Sequence, residues 1–333
     1  PTYFGSNLID SLYTGLDLEY ESWFALGGLR FEEETRAFKI PGGRRGISQT
    51  IISDDIYPSF QLGRFFGSDR EIEAKVNYSD TVVRPSFYEF IPARILDLTN
   101  QRIFVGNRDL RETKAQNFDF SLNWKRENNY AGINLFHKII TDPIFTINDP
   151  SGVADRTFVN LGETDVSGVE LEGSYDLGAG FSVTGNLSFI EASAQPGNVR
   201  INRQDFLGQI DRLEGQPEML GNFILSWESE DIGLSTNLIY TYTGEYLTVA
   251  SLGFVGQPDS ALPNEIRKPF HSLDWNISKK WESSWADYKV KFQVRNILDS
   301  DVEVFYEGLA STIAPAEAVS PGREFGLSLE AKF

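Results

Sequence analysis

The stretch GVELEGSYDLGAGFSVTGNLSF, residues 168–189, decides the fold of this chain. In its first half, apolar residues such as Leu171 and Tyr175 alternate with polar or small ones, and the second half repeats this alternation. A period of two is typical of β-strands, because successive side chains of a strand point to opposite faces. The short glycine-containing turn between the two halves therefore predicts an antiparallel hairpin of two long strands.

The same alternation recurs along the whole chain. It predicts 13 strands, at residues 12–21, 24–36, 56–67, 70–81, 115–126, 129–140, 165–177, 180–191, 216–228, 231–243, 269–281, 286–298 and 322–333. No stretch shows the 3.6-residue period of a long amphipathic helix, so the predicted fold class is all-β. Strands of this length can cross a bilayer when they are tilted by about 45°.

The connections between these strands alternate between short and long. Short turns are expected near Ser22, Gly67, Glu127, Gly178, Glu230 and Ser284, and long loops at 37–55, 82–114, 141–164, 192–215, 244–268 and 299–321. A strict alternation places all short turns at one end of the sheet and all long loops at the other. The sequence thus predicts a transmembrane antiparallel up-and-down β-barrel with no domain boundary in residues 1–333.

A soluble β-sandwich or propeller is the alternative fold, because its strands alternate as well. Sandwich strands are usually about 5 to 6 residues long, however, and their turns do not sort by length. The barrel also agrees with the mean hydropathy of −0.28, since lipid-facing and lumen-facing residues average to mild polarity. In this reading Leu122 and Val290 face lipid. The inner wall is expected to carry Glu71, Glu73, Lys75, Asp119, Lys125, Glu170, Glu172, Lys289, Lys291 and Arg295.

Composition limits the chemistry that the chain can perform. The 333 residues include no Cys and 2 His, which leaves no thiolate zinc site and almost no imidazole chemistry. The net charge of −18 argues against nucleic-acid partners, which require a surplus of Lys and Arg. We therefore expect no enzyme, no cofactor and no metal site, and we expect the acidic run Glu32, Glu33 and Glu34 to be a solvated face.

The last predicted strand has a distinctive end. Phe325, Leu327, Leu329 and the terminal Phe333 fall on one face of it. This arrangement resembles the signal by which barrel-assembly machinery recognises outer-membrane proteins. The alternative is an ordinary amphipathic strand.

Four parts of the sequence together resemble one family, the TonB-dependent outer-membrane receptors, and specifically the carboxy-terminal part of their β-barrel. These parts are TVVRPSFYEFIP (81–92) with VGNRDLRETKAQNFDFSLNWK (105–125), FHKIITDPI (136–144), the hairpin at 168–189, and VRNILDSDVEVFY (294–306) with PGREFGLSLEAKF (321–333). The first part departs from the family pattern at Val83, where Ala is common, and at Arg108, where Pro is usual.

The resemblance implies an energised receptor in the outer membrane of a Gram-negative-type bacterium. The 13 strands would be the last of a barrel of about 22, whose plug, TonB box and signal peptide would lie upstream of this chain. The implied partners are outer-membrane lipid, the TonB complex acting on the missing amino-terminal region, the barrel-assembly machinery, and a scarce bulky nutrient. Siderophore-iron or a similar chelate, an oligosaccharide or a peptide would fit that role.

Long loops are usually functional, so ligand contacts are expected in 82–114, 141–164, 192–215 and 244–268. Within the first of these loops the candidate contacts are Arg84, Phe87, Tyr88, Arg94 and Arg102. Two other functions remain open from the sequence. A passive diffusion porin would share the alternation and the terminal Phe, and a secreted carbohydrate-active β-protein would use a pair of carboxylates.

Overall fold

A computed structural model describes residues 3–41, 46–98, 101–150, 152, 154–195, 198–201, 204–208, 212–254, 263–307 and 315–333. Nearly all regular structure in these residues is β-strand. None of the described helices has the length and hydropathy needed to span a membrane.

The elements follow one another as long strands separated by groups of short ones. In chain order they are β1 (Phe4–Tyr20), β2 (Trp23–Ile40), β3 (Ile47–Phe66), β4 (Ile72–Val83), α1 (Phe87–Phe90), β5 (Arg94–Asp97), β6 (Arg102–Val105), β7 (Thr113–Arg126), β8 (Asn129–Thr141), β9 (Ile144–Asn148), β10 (Arg156–Asn160), β11 (Thr164–Gly178), β12 (Phe181–Ala194), β13 (Asn198–Ile201), β14 (Gln204–Gly208), β15 (Met219–Ser229), β16 (Leu234–Thr243), β17 (Tyr246–Val249), β18 (Leu252–Phe254), β19 (Glu265–Arg267), β20 (Phe270–Glu282), β21 (Asp287–Arg295), β22 (Val302–Tyr306), β23 (Glu317–Val319) and β24 (Glu324–Lys332).

The long strands form one antiparallel sheet, which we call the wall. Its order is β1-β2-β3-β4-β7-β8-β11-β12-β15-β16-β20-β21-β24, so each strand lies beside its neighbours in the meander. All 13 predicted strands are confirmed, because each overlaps one strand of the wall. The sheet is open, and β1 and β24 each have one neighbour within the described residues.

The two faces of the wall differ in polarity. On β7, Phe118, Phe120 and Leu122 lie on one face, and Leu122 is 40% exposed. Asp119 and Ser121 lie on the other face because of the two-residue period. We call the apolar face the outer face and the polar face the inner face. Val290 lies on the outer face as expected, and the predicted inner-wall residues that fall within strands lie on the inner face.

The predicted loop at 37–55 is wrong. β2 continues to Ile40 and β3 begins at Ile47, so most of that stretch is paired strand. The alternation of β2 does not reveal this extension, because its apolar residues change from the outer face to the inner face near its end. In the first half of β2, which follows the short turn, the apolar residues Leu29 and Phe31 point outward. Near the end of β2, Phe38 points inward and is 3% exposed.

The short strands lie in the long connections and form three further sheets, which we call the loop layer. Their orders are β5-β6-β10-β9, β13-β14-β18 and β17-β19-β22-β23. The sequence did not predict these strands. A core of fully buried residues holds the loop layer together, and it includes Phe145, Ile147, Val159, Leu247 and Ala250.

A second core joins the loop layer to the upper part of the wall, by which we mean the end from which the long connections leave. Phe90 of α1 and Phe158 of β10 pack against Phe38 of β2, with the Phe38 and Phe90 rings 5.3 Å apart and nearly perpendicular. Ile47 and Ile51 of β3 pack against the same cluster. The upper parts of β2 and β3 therefore bury their inner face under the segment that follows β4.

Candidate ligand-binding surface

Arg84, the first candidate contact, lies where the chain leaves β4. Its guanidinium group is 2.7 Å from a carboxylate oxygen of Glu32 and 3.2 Å from one of Glu34. Glu112, which precedes β7, is 3.7 Å away on another side. Arg84 thus ties the segment after β4 to the inner face of β2.

Two of the acidic residues around Arg84 belong to the run that was expected to be solvated. That expectation is wrong for Glu32 and Glu34, since Glu34 is 1% exposed. Arg36 donates two hydrogen bonds of 2.8 Å to the two carboxylate oxygens of Glu34. Residues two apart on a strand share a face, so the Glu34 and Arg36 spacing is the sequence signal that identifies this pair.

Phe87 and Tyr88, the next candidates, lie on the single turn α1. A capping box fixes this turn, in which the Ser86 hydroxyl accepts from the Glu89 amide and the Glu89 carboxylate accepts from the Ser86 amide. Phe87 packs into the core beneath the loop layer. The Tyr88 ring lies between the rings of Phe104 on β6 and Phe158 on β10 and remains partly exposed. The partial burial is the main cause that raises the pKa of its phenol.

Arg94 and Arg102 lie on the hairpin formed by β5 and β6. Arg94 is exposed, opposite Val105. The Arg102 guanidinium lies 3.8 Å from the carboxylate of Glu265, which also accepts a hydrogen bond from the buried Arg156. Two guanidinium groups therefore face one carboxylate where the first and third sheets of the loop layer meet.

Glu214 connects a further part of the loop layer. Its carboxylate accepts a hydrogen bond of 2.5 Å from the Thr146 amide on β9. Burial raises the pKa of Glu214 to about 7, although the Thr146 hydrogen bond works in the opposite direction. This carboxyl group consequently changes charge near neutral pH, within the connection between β12 and β15.

Beneath the loop layer a cavity of about 730 Å³ opens against the inner face of the wall. We call it the upper inner cavity. Its wall side is formed by Phe136 and Ile190, which flank Gly168 in one row across β8, β11 and β12. Its loop side carries Arg212 and Glu245, whose side chains are 3.3 Å apart.

A second cavity, of about 410 Å³, lies next to the first on the inner face. We call it the lower inner cavity. Its lining includes Asn134, Glu170 and Ser188, which form the next row of the same three strands. Asn134 donates a hydrogen bond of 3.1 Å to Glu170. The two cavities follow each other down the inner face, the upper one lined by both polar and apolar surface and the lower one mainly by polar surface, and their volumes are typical of small-molecule sites.

The model of the outer membrane protein beta-barrel family matches residues 6–330 of the chain. The chain belongs to this family. Its outer face is thus the face toward lipid, and its location is the outer membrane. Comparison with curated protein sequences gives no significant match.

Solved structures share the fold of this outer-membrane chain at low sequence identity. The ferric yersiniabactin uptake receptor FyuA from Yersinia pestis has a TM-score of 0.69 and 16% identity over 99% of this chain and 46% of its own. The copper transporter OprC has a TM-score of 0.68 and 15% identity over 98% of this chain and 48% of its own. The FrpB iron transporter from Neisseria meningitidis has a TM-score of 0.64 and 17% identity over 98% and 45%. The chain therefore spans less than half the length of these proteins, and the resemblance to the receptor fold is confirmed.

The terminal strand β24 places Phe325, Leu327 and Leu329 on the lipid face. The Phe333 ring lies 5.9 Å from the Trp285 ring at the turn between β20 and β21. Recognition of these residues by the assembly machinery stays a prediction.

The structure does not gather the five candidate contacts into one pocket. Arg84 is held by ion pairs and Phe87 packs against a core, whereas Tyr88, Arg94 and Arg102 lie on the loop layer. A ligand role for any of the five stays a prediction. Sequence reasoning missed Arg156 and Glu265, which are 109 positions apart and carry no local signal. Among the described residues, no group of three or more His, Asp or Glu side chains is arranged to hold a metal ion.

Proposed function

We propose that this chain is the carboxy-terminal barrel portion of an outer-membrane receptor that takes up a scarce, bulky nutrient in a TonB-energised step. The nutrient would be siderophore-iron or a similar chelate, an oligosaccharide or a peptide. The proposal is supported by the shared fold with the ferric yersiniabactin uptake receptor and with the iron and copper transporters. The TonB complex and the barrel-assembly machinery are its proposed partners.

One observation carries the proposal, namely the path formed by the upper and lower inner cavities below the loop layer. Arg212 and Glu245 at its upper end can hold a polar ligand, and the Phe136 ring offers an apolar surface beside them. Asn134 and Glu170 then continue the polar lining along the inner face. A ligand with many hydrogen-bonding groups could exchange partners stepwise along this path.

The test is uptake by cells that carry the full-length protein, with ⁵⁵Fe-labelled catecholate and hydroxamate chelates and labelled oligosaccharides as probes. Asn134→Trp should obstruct the lower inner cavity and reduce uptake of the transported probe. The matched control is Asn237→Trp, because Asn237 also lies on the inner face and makes the same type of 3.1 Å hydrogen bond, to Asn276. Uptake should continue in this control. In every variant that transports the probe, uptake should stop when an uncoupler removes the proton gradient.

The porin alternative gives the opposite results. Uptake that persists with the uncoupler, together with a large steady conductance of the full-length protein in planar bilayers, would contradict the receptor proposal. Equal uptake in Asn134→Trp and Asn237→Trp cells would contradict the assignment of the path.

A further inference from the structure

The lipid face of the wall is interrupted by a trench of about 760 Å³. Its floor consists of residues with little or no side chain. Ala131, Gly173 and Gly185 lie in one row across β8, β11 and β12, and Gly221 of β15 lies in the adjacent row. Because glycine has no Cβ, the backbone itself forms most of this floor.

Large apolar side chains surround the floor. Leu171 and Leu187 border it on the side of the loop layer, and Tyr175 and Val183 border it on the side of the short turns. Little of the lining surface is polar, although the surface belongs to a protein with 23% charged residues. The trench therefore accepts an apolar occupant and would leave a charged group without a partner.

Aromatic rings close both ends. Trp124 pairs with Ala131 at one end of the row, and Phe223 pairs with Gly185 and Tyr240 at the other. Neighbouring strands are about 4.8 Å apart, so the four steps from Trp124 to Phe223 cover roughly 19 Å. A row across strands that are tilted by about 45° is itself inclined by about 45°, so it rises by roughly 13 Å, similar to the about 15 Å of hydrocarbon in one leaflet.

The width of the trench decides between a lipid tail and a protein helix. Leu171 and Tyr175 are four residues apart on β11, which places their Cα atoms about 13 Å apart, and their side chains occupy part of that distance. A helix with its side chains needs about 10–12 Å, so it does not fit between them. A single hydrocarbon chain does.

We propose that this trench binds one acyl chain of an outer-membrane lipid. The trench is continuous with the surface that the family assignment places in lipid. It is a narrow groove with aromatic rings at both ends, and the side chains around it protrude from the same face. At the Phe223 end, three residues before β16 reaches the loop layer, the Tyr240 hydroxyl lies 3.3 Å from His271 Nδ1, so polar groups are available beside the head group. The inference does not depend on the proposed uptake function.

The test counts lipids that remain on the full-length protein after extraction from outer membranes and detergent exchange, by native mass spectrometry. Ala131→Leu fills the floor without changing the backbone and should lose one retained lipid relative to the unsubstituted protein. The control Ala25→Leu makes the same change on the lipid face of β2, between Leu18 and Leu62, and should keep that lipid. Folding of each variant is checked by its heat-dependent shift in gel mobility.

A milder pair of variants tests the same site if Ala131→Leu fails to fold. A Cβ at Gly173 would lie 3.2 Å from the Tyr130 carbonyl oxygen, a tight but small addition, whereas a Cβ at Gly27 on β2 meets nothing within 4 Å. Added dipalmitoyl phosphatidylethanolamine should dissociate several-fold faster from Gly173→Ala than from Gly27→Ala. Equal lipid counts in Ala131→Leu and Ala25→Leu, equal dissociation in the glycine pair, or a retained polypeptide or second copy in place of the lipid would each overturn the proposal.

Discussion

The lower wall and the loop layer place their apolar side chains in opposite ways. On the wall, Leu122 is outward and 40% exposed, and the polar side chains line the inner face. In the loop layer, Phe145 is completely buried among other apolar residues, as in a water-soluble domain. Both regions consist of β-strands, so the solvent around each region, lipid or water, accounts for the difference.

The upper part of β2 marks the change from one arrangement to the other. Leu29 and Phe31 face outward, whereas Phe38, seven residues further on, faces inward beneath α1. The buried pair of Glu34 and Arg36 lies between these two zones. Along β2 the apolar side chains thus change from the outer face to the inner face, which is the change expected where a strand leaves the membrane.

The largest expected effect is the difference in stability cost between a Phe→Ala substitution in the loop layer and one on the lipid face of the wall. Phe145→Ala should destabilise the loop layer by about 3–5 kcal/mol, because it leaves a cavity in a close-packed core. Phe120→Ala on the lipid face should cost well under half of that, because lipid can fill the space. Amide hydrogen exchange of full-length protein in nanodiscs measures both changes, and equal costs would contradict the distinction between the two regions.

Charge substitutions on the wall are expected to have the next largest effect. Leu122→Lys should destabilise by about 2–4 kcal/mol, the cost of a lysine near the bilayer midplane, and Val290→Lys should cost less, because Val290 lies opposite Lys279 and three residues from the turn end of β21. Asn123→Lys is the control, since Asn123 is adjacent to Leu122 in sequence but lies on the inner face. Denaturant unfolding from lipid vesicles gives these values. Tolerance of both outer-face lysines would mean that the inner and outer faces are assigned the wrong way round.

A smaller effect, confined to the loop layer, is expected from pH. The pKa of Glu214 is about 7 in the folded chain against an ordinary 4.5, so the folded loop retains a proton that the unfolded loop releases. The stabilising effect is thus complete below pH 4.5 and is lost as the pH rises through about 7. Hydrogen exchange at Thr146, corrected for intrinsic rates, should show more opening at pH 8 than at pH 5.5.

Glu214→Gln provides the control for that measurement. It keeps an acceptor for the Thr146 amide but does not titrate, so the difference between the two pH values should disappear. A pH difference that persists in Glu214→Gln would assign the effect to another group.

The smallest effect on the folded molecule is expected at its last residue. Phe333→Ser should leave the stability of assembled protein nearly unchanged, because Phe333 is 89% exposed. Its proposed role in recognition predicts less protein inserted into the outer membrane, measured by quantitative immunoblotting of membrane fractions. Normal insertion would show that Phe333 is not a recognition signal, and Val319→Ser, at another exposed apolar residue, controls for general loss of hydrophobicity.

The wall could be predicted from the sequence because each of its strands carries its own two-residue period. The loop-layer strands could not, since they are three to five residues long and their partners are distant, as in the parallel pairing of Phe104 with Arg156. The extension of β2 was missed because its apolar residues change from odd to even positions after Phe31. At the candidate site, position in a loop is the whole basis for Tyr88 and Arg102, whose ligand role stays a prediction, and it could not show that Arg84 is held by Glu32 and Glu34.

The most direct test is an accessibility scan of β2, in which single cysteines from Trp23 to Ile40 carry a spin label in full-length protein in nanodiscs. The chain has no native Cys in this region, so each variant reports one position. Contact with oxygen, which concentrates in lipid, should peak at odd positions up to Phe31 and vanish beyond it, while labels at even positions from Glu32 to Phe38 should be immobile. Oxygen maxima at odd positions continuing to Lys39, with mobile labels at Glu34 and Phe38, would contradict the change of apolar face at the membrane surface.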